Sequence, residues 1–248
     1  MRKPYILLAI IFGVLLIDQC IKIYVKTHFA LGEFVLPFGG EWCQIHFVEN
    51  PGMAFGLQLG GPIGKLLLSL FRVIAIGFLG YYLVKILKEE MAFGFICCIA
   101  LVWAGAFGNI IDSAVYGLFF SESGTHTPAL LLPPGGGYAG FLHGKVVDMF
   151  YFPLWQGRLP TWLPFWGGEE AEFFRPVFNF ADAAISVGVF FIVALQNKFF
   201  PPENENENEG ENEDENENEK AIITDNNEEI ADETAENDAP RMEERASI

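Results

Sequence analysis

The chain has 248 residues, 51% of them hydrophobic and 15% aromatic, and a formal net charge of −17. That charge is uneven: residues 201–248 hold 19 of the 32 acidic and 3 of the 15 basic residues, a net of −16, which leaves −1 for the first 200. A nearly neutral, apolar body without basic clusters excludes nucleic-acid binding, and the Glu- and Asn-rich tail cannot bury apolar surface and is expected to be disordered.

Residues 4–25 are expected to form a first membrane span. Arg2 and Lys3 precede the apolar run from Tyr5 to Ile17, and continuing to Val25 gives about 20 residues, enough to cross a bilayer. A cleaved signal peptide is disfavoured because no small-x-small site follows, and Asp18 and Gln19 stand where a lipid-attachment box before Cys20 would need small residues. Residues 27–62 alternate apolar and polar positions between the turn signals Gly39-Gly40, Pro51-Gly52 and Gly60-Gly61-Pro62, which suits a small β-rich cradle on the membrane surface. Residues 63–87 are the second span. Arg72 inside it reads either as an anion contact or as a side chain reaching for the interface.

Residues 91–118 are the third span. Small residues in Gly105-Ala106-Phe107-Gly108 allow close helix packing, and Asn109 and Asp112, three apart, share a helical face. Residues 119–177 form an extended outer segment with the Pro133-Pro134-Gly135-Gly136-Gly137 break and Trp155, Trp162 and Trp166. It suits either the headgroup layer, where aromatic rings favour residence, or an extramembrane lobe. Residues 178–200 are the fourth span, with Asp182 at its mouth and Lys198 at its end.

The fold class expected is therefore an all-α membrane protein of four transmembrane helices, with a small β-rich cradle, an extended outer loop and an acidic tail at 201–248. Arg2, Lys3, Lys85, Lys88 and Lys198 place both termini in the cytoplasm by the positive-inside rule, while Lys22, Lys26 and Lys145 count against that orientation. With this topology Asp18, Asp112, Asp148 and Asp182 converge on the outer face. Ionisable residues at such a depth are costly and mark function.

Two carboxylates in an apolar site cannot both ionise easily, so they share a proton. That arrangement lets one acid activate water while the other polarises a carbonyl. No H-E-x-x-H zinc motif or G-x-S-x-G nucleophile elbow is present, and His28, His46, His126 and His143 lack ligand spacing. Cys20, Cys43, Cys97 and Cys98 form no C-x-x-C pair and read as small hydrophobes.

Five motifs in order resemble the lipoprotein signal peptidase (signal peptidase II) family of bacterial intramembrane aspartyl proteases. They are Asp18-Gln19-Cys20-Ile21-Lys22, Asn50-Pro51-Gly52-Met53-Ala54-Phe55, Gly105 to Asp112, Val146-Val147-Asp148 and Phe178-Asn179-Phe180-Ala181-Asp182. The resemblance implies four transmembrane helices, a periplasmic β-cradle and a mobile segment over the site. The implied activity is hydrolysis of the peptide bond before the diacylglyceryl-modified cysteine of prolipoproteins. Asp148 and Asp182 would be the catalytic pair. Asn50, Asn109 and Asn179 would bind substrate or position the acids, and Asp18, Lys22, Asp112 and Ala181 would support them. Gly52 would keep the cradle loop close to substrate. The resemblance also implies no metal or organic cofactor, a monomer in contact with membrane lipids, and residence in the cytoplasmic (inner) membrane. Ser113 stands where the family usually has Arg, and Ala104 where it has the first of two glycines. Arg72 or Lys145 is a candidate to compensate for the missing Arg. Two other classes fit the residues: a non-catalytic lipoprotein or lipid binder, and a proton-coupled transporter, although the internal repeats usual in transporters are not evident.

Overall fold

In the computed structural model, residues 3–51, 61–89, 91–153, 155–162, 164–173 and 176–201 are described. Helix α1 (Lys3–His28) is followed by strands β1 (Phe34–Val35) and β2 (Gln44–Asn50) and helix α2 (Gly61–Lys88). Helix α3 (Phe93–Ile111) runs into a π-helical turn at Asp112–Tyr116 and the short α4 (Gly117–Phe119). Strands β3 (Val146–Tyr151), β4 (Trp155–Arg158) and β5 (Glu170–Phe173) precede helices α5 (Phe180–Ala194) and α6 (Gln196–Phe199).

Among the described residues, three helices are long and apolar enough to cross a membrane: Lys3–His28, Ile63–Lys88 and Phe93–Phe119. The segment expected as the fourth span is shorter. The 15-residue α5 rises only about 22 Å at 1.5 Å per residue, and the chain breaks at Leu195 before α6. The outer faces of these helices are greasy: Phe12 of α1 and Phe78 of α2 are 67% and 76% exposed. The inner face holds the charge, with Asp18, Lys22, Lys26, Asp112 and Asn179 all fully buried. Apolar outside and polar inside is the pattern expected when hydrocarbon is the solvent.

Helices α3 and α5 meet with almost no space between them. A Cβ on Gly105 would lie 2.3 Å from the Ala181 carbonyl oxygen, and one on Gly188 would lie 2.7 Å from the Cys98 carbonyl oxygen. The small residues therefore set the interhelix distance, as their placement in the sequence suggested.

The β-rich piece is a three-stranded antiparallel sheet in the order β1-β2-β3. Helix α1 runs on to His28, so the sheet starts later than Thr27, and its third strand comes from the outer segment rather than from residues 27–62. Val48 pairs with Asp148 and Asn50 with Val146. Because side chains alternate along a strand, Asn50 and Asp148 lie on one face as diagonal neighbours. The rest of the outer segment is not one loop either, since β4 and β5 form an antiparallel hairpin between Asp148 and α5.

Candidate active site

Helix α1 contributes a stripe at four-residue spacing, Asp18, Lys22 and Lys26, all turned inward. Lys22 Nζ lies 3.0 Å from Asp18 Oδ2 and 2.8 Å from Asp112 Oδ2. It also donates to Asn109 Oδ1 at 2.8 Å. An ammonium can only donate, so it fixes the Asn109 amide with its oxygen toward Lys22 and its Nδ2 outward. That Nδ2 donates to Asp182 Oδ1 at 2.8 Å.

Asp182 is held from its own helix as well. Asn179 caps α5 by accepting from the Asp182 backbone N–H at 2.9 Å, and the Asn179 N–H donates back to Asp182 Oδ2 at 3.3 Å, a complete capping box. This places Asp182 in the first turn of α5, where the helix dipole favours a negative charge. The Asn179 side chain then donates to Asn109 Oδ1 at 3.0 Å and to Asp148 Oδ1 at 2.6 Å. The Asn179 side chain thus links the Asp148 carboxyl, the Asn109 amide and the Asp182 backbone across β3 and α5. The Phe150–Phe178 backbone bridge keeps strand and helix entrance together.

Asp148 is 5% exposed. Burial, then the neighbouring Asp182 charge, push its carboxyl up to about 7, against the opposing pull of Asn179, Lys22 and Asn50. At neutral pH this group therefore titrates.

The remaining expected residues fall around this pair. Asp18 Oδ1 accepts from the Ala181 backbone N–H at 2.9 Å, tying α1 to the first turn of α5. Ala181 is buried against Gly105 and Gly108, where a larger side chain has no space. Asp112 Oδ2 accepts from Val147 N–H at 3.3 Å and so anchors β3 beside Asp148. Asn50 acts directly on the Asp148 carboxyl by a side-chain hydrogen bond. Gly52 lies outside the described residues.

Sequence reasoning passed over three participants. Gln19 donates to Asp112 Oδ1 at 2.9 Å and to Asp18 Oδ2 at 3.1 Å, and it accepts from the Tyr116 hydroxyl at 3.1 Å. Neither Gln19 nor Tyr116 carries a signal of its own. Lys26 does, because it continues the 18–22 spacing by one more turn. It pairs with Glu49, which also holds Lys145 at 3.0 Å and accepts from Ser123 Oγ at 2.7 Å. Burial alone would raise the Glu49 carboxyl, but Lys26, Ser123 and Lys145 hold it below its ordinary value. Lys22 and Lys26 are thus neutralised inside the protein and Lys145 is paired, so none of the three is a free loop charge bearing on orientation. The pairing also removes Lys145 as a compensator for the position of Ser113. Ser113 itself is buried, and its hydroxyl donates to the Asn109 carbonyl of its own helix at 3.1 Å.

Comparison with known proteins gives consistent matches. A family model described as signal peptidase (SPase) II matches residues 10–197. A lipoprotein signal peptidase of Porphyromonas gingivalis is 55% identical over 189 residues, covering 75% of this chain and 80% of that protein. A lipoprotein signal peptidase of Amoebophilus asiaticus is 36% identical over 183 residues, covering 71% of each. A solved structure described as a bacterial membrane enzyme aligns with 80% of this chain and 92% of its own, at 21% identity and a TM-score of 0.48.

Proposed function

The chain belongs to the signal peptidase II family and removes signal peptides from prolipoproteins; we propose that it does so as an intramembrane aspartyl endopeptidase that cuts before a diacylglyceryl-modified cysteine. The observation that carries this reading is Asn179, whose side chain donates to the Asp148 carboxyl and whose backbone N–H donates to that of Asp182, in a setting that lifts Asp148 to about 7. In this reading Asp148 carries the shared proton of the pair, and Asp182, at a helix N-terminus, takes the role of base.

The chemistry follows from that division. Water sits between the acids, and Asp182 takes its proton as the oxygen adds to the scissile carbonyl carbon. The proton on Asp148 donates to the carbonyl oxygen and stabilises the charge that develops there. As the C–N bond breaks, Asp182 returns its proton to the departing cysteine nitrogen, and Asp148 keeps its own. Asn109 and Asn179 hold Asp182 in place, and Asn50 orients Asp148. Asp18, Lys22, Asp112 and Ala181 support this arrangement.

The protein is a membrane protein. We place it in the cytoplasmic membrane with both termini inside and the acids near the outer face. Lys3, Lys85, Lys88 and Lys198 lie at the opposite ends of the helices from Asp18, Asp112 and Asp182. In this reading the protein acts as a monomer, residues 1–200 are the peptidase body and residues 201–248 a cytoplasmic tail.

Mass analysis of the products from a purified prolipoprotein tests the reading. The expected product begins with the lipidated cysteine, and the same prolipoprotein without the diacylglyceryl group is cut far more slowly. Retention of bound but intact lipidated substrate, under conditions where the P. gingivalis relative cleaves, would favour a binder instead.

A further inference from the structure

The outer segment displays a patch of leucines outside its buried core. Between α4 and Pro133 the chain doubles back on itself. The Leu132 N–H donates to the Phe119 carbonyl at 2.7 Å and the Ser121 N–H to the Leu130 carbonyl at 2.9 Å, with Phe120 and Leu131 bridged between them. Phe120 and Ala129 turn inward and are buried. Leu130, Leu131 and Leu132 are 63%, 52% and 68% exposed, and Leu118 and Phe119 beside them are exposed as well. A contiguous apolar patch left in the open marks an interaction surface.

The patch is firmly held. The Leu130 N–H donates to Ser121 Oγ at 2.8 Å, and the Ala129 N–H donates to the Lys26 carbonyl of α1 at 3.1 Å. Leu132 lies in the left-handed region at φ 51°. A glycine adopts that conformation freely, whereas a leucine is strained there and persists only where its surroundings hold it. What this position supplies is therefore the leucine side chain, not backbone freedom. The hold extends to the candidate active site. The Tyr138 N–H donates to the Phe120 carbonyl at 3.0 Å, and the Tyr138 hydroxyl accepts from the Lys145 N–H at 2.7 Å. Lys145 leads directly into β3 and Asp148.

Where the patch begins decides what covers it. The segment Phe93–Phe119 is long and apolar enough to cross a membrane, and Leu118 and Phe119 are its last two residues. Leu132 is hydrogen-bonded to the final one, so the leucines continue the apolar flank of that span. Glu122 and His126, in the turn at the far end of the doubled chain, are exposed and polar. An apolar edge against a span, with a polar turn away from it, is the division that a bilayer interface imposes.

We propose that Leu130, Leu131 and Leu132, with Leu118 and Phe119, form a docking surface for the lipid bilayer. They seat at the boundary between headgroups and hydrocarbon and fix the height of β3 against a membrane-borne substrate. The bilayer contact is independent of the aspartyl reading above; only the choice of Asp148 as the group placed by β3 rests on it.

The test has two readouts on the full-length protein in lipid nanodiscs. In the first, Leu130→Trp and Leu131→Trp each add an indole to the native five, and the emission gained over wild type is followed with dibrominated phosphatidylcholine and with aqueous iodide. The added signal is expected to lie to the blue and to be quenched by the brominated lipid but not by iodide. Quenching by iodide alone would overturn the docking. A blue-shifted signal that neither agent quenches would also overturn it, since protein rather than lipid then covers the patch. Because this readout needs no turnover, failure of the aspartyl reading leaves it intact. The second readout compares wild type with the double variant Leu130→Ser, Leu131→Ser in cleavage of a prolipoprotein, in nanodiscs and in detergent. Both side chains are exposed and their backbones make the local hydrogen bonds, so the variant is expected to fold, with thermal stability as the check. In nanodiscs KM is expected to rise about tenfold, the scale of losing one leucine from an apolar setting, with kcat kept. In detergent both constants are expected to match wild type. An unchanged KM in nanodiscs would overturn the placing of β3, and an equal loss in detergent and nanodiscs would overturn it in favour of direct contact with the substrate.

Discussion

Two buried charge clusters begin one helical turn apart on α1 and do different things. The first, around Lys22, has two carboxylates, Asp18 and Asp112, on one ammonium, and continues through the Asn109 and Asn179 amides to Asp182 and Asp148. The second, around Lys26, has two ammonium groups, Lys26 and Lys145, on the single carboxylate of Glu49, and is closed by Ser123 and the Tyr138 and Phe120 rings. The first leads through neutral amides to groups that can exchange a proton. The second ends in aromatic walls and fastens the outer segment to β2. A buried ion cluster is therefore not a functional site merely by being buried; what its last member can do decides the matter.

That contrast can be broken at four points. The largest effect is expected from Lys22→Met, which leaves two buried carboxylates facing each other. Removing one partner of a buried pair costs about 3–5 kcal/mol, and this variant should reach the upper end, read as a loss of thermal stability in detergent. Asn179→Ala should follow. It removes the side-chain donor to Asp148 and the acceptor that holds the Asp182 backbone N–H, and a loss of about 10²–10³ in kcat is expected, by analogy with the removal of one positioned hydrogen-bond donor. Folding should suffer less, because only the side-chain half of the cap is lost. Glu49→Ala should show the reverse, costing about 3 kcal/mol of stability while the surviving folded protein keeps most of its turnover. If Glu49→Ala instead abolishes kcat without destabilising, the division between the clusters is wrong.

The smallest effect is a difference in sign with pH. The Glu49 carboxyl is held below its ordinary value, so its contribution to stability is present above the unfolded value and is lost as pH falls through the folded one. The Asp148 carboxyl is raised, so its contribution is present in acid and is lost as pH rises toward about 7. Asp148→Asn should therefore flatten the fall in stability between about pH 4 and 7, whereas Glu49→Gln should flatten the fall at acid pH. Stability curves of the two variants, measured across this range, check both signs.

The clusters also show how far the sequence could be read. The helices were legible because hydrocarbon demands about 20 apolar residues, and the meeting of α3 with α5 because glycine spacing leaves a visible mark. Asp18, Asn109, Asp148 and Asp182 stood out because a carboxylate or amide in an apolar run is costly. The sheet was only half legible: β1 and β2 carry turn signals, but β3 is buried on both faces from Val146 to Met149, against β2, α1 and the π-helical turn, and lacks the alternation of a half-exposed strand. The Lys26 cluster was hidden because pairing with Glu49 and Ser123 is a contact between distant segments. Gln19 and Tyr116 were hidden for the same reason. The shortness of α5 was masked by the apolar run from Val187 to Leu195, at the end of which the break has no proline or glycine to announce it.

The most direct test is turnover of a diacylglyceryl-modified prolipoprotein by wild type, Asp148→Asn and Asp182→Asn, with substrate binding and thermal stability measured on the same preparations. Loss of at least about 10³ in kcat is expected for each variant, within the range of combined general acid and base catalysis, with binding and folding retained. Cleavage at near wild-type rate by either folded variant would contradict the claim that these two acids share the proton that the reaction uses.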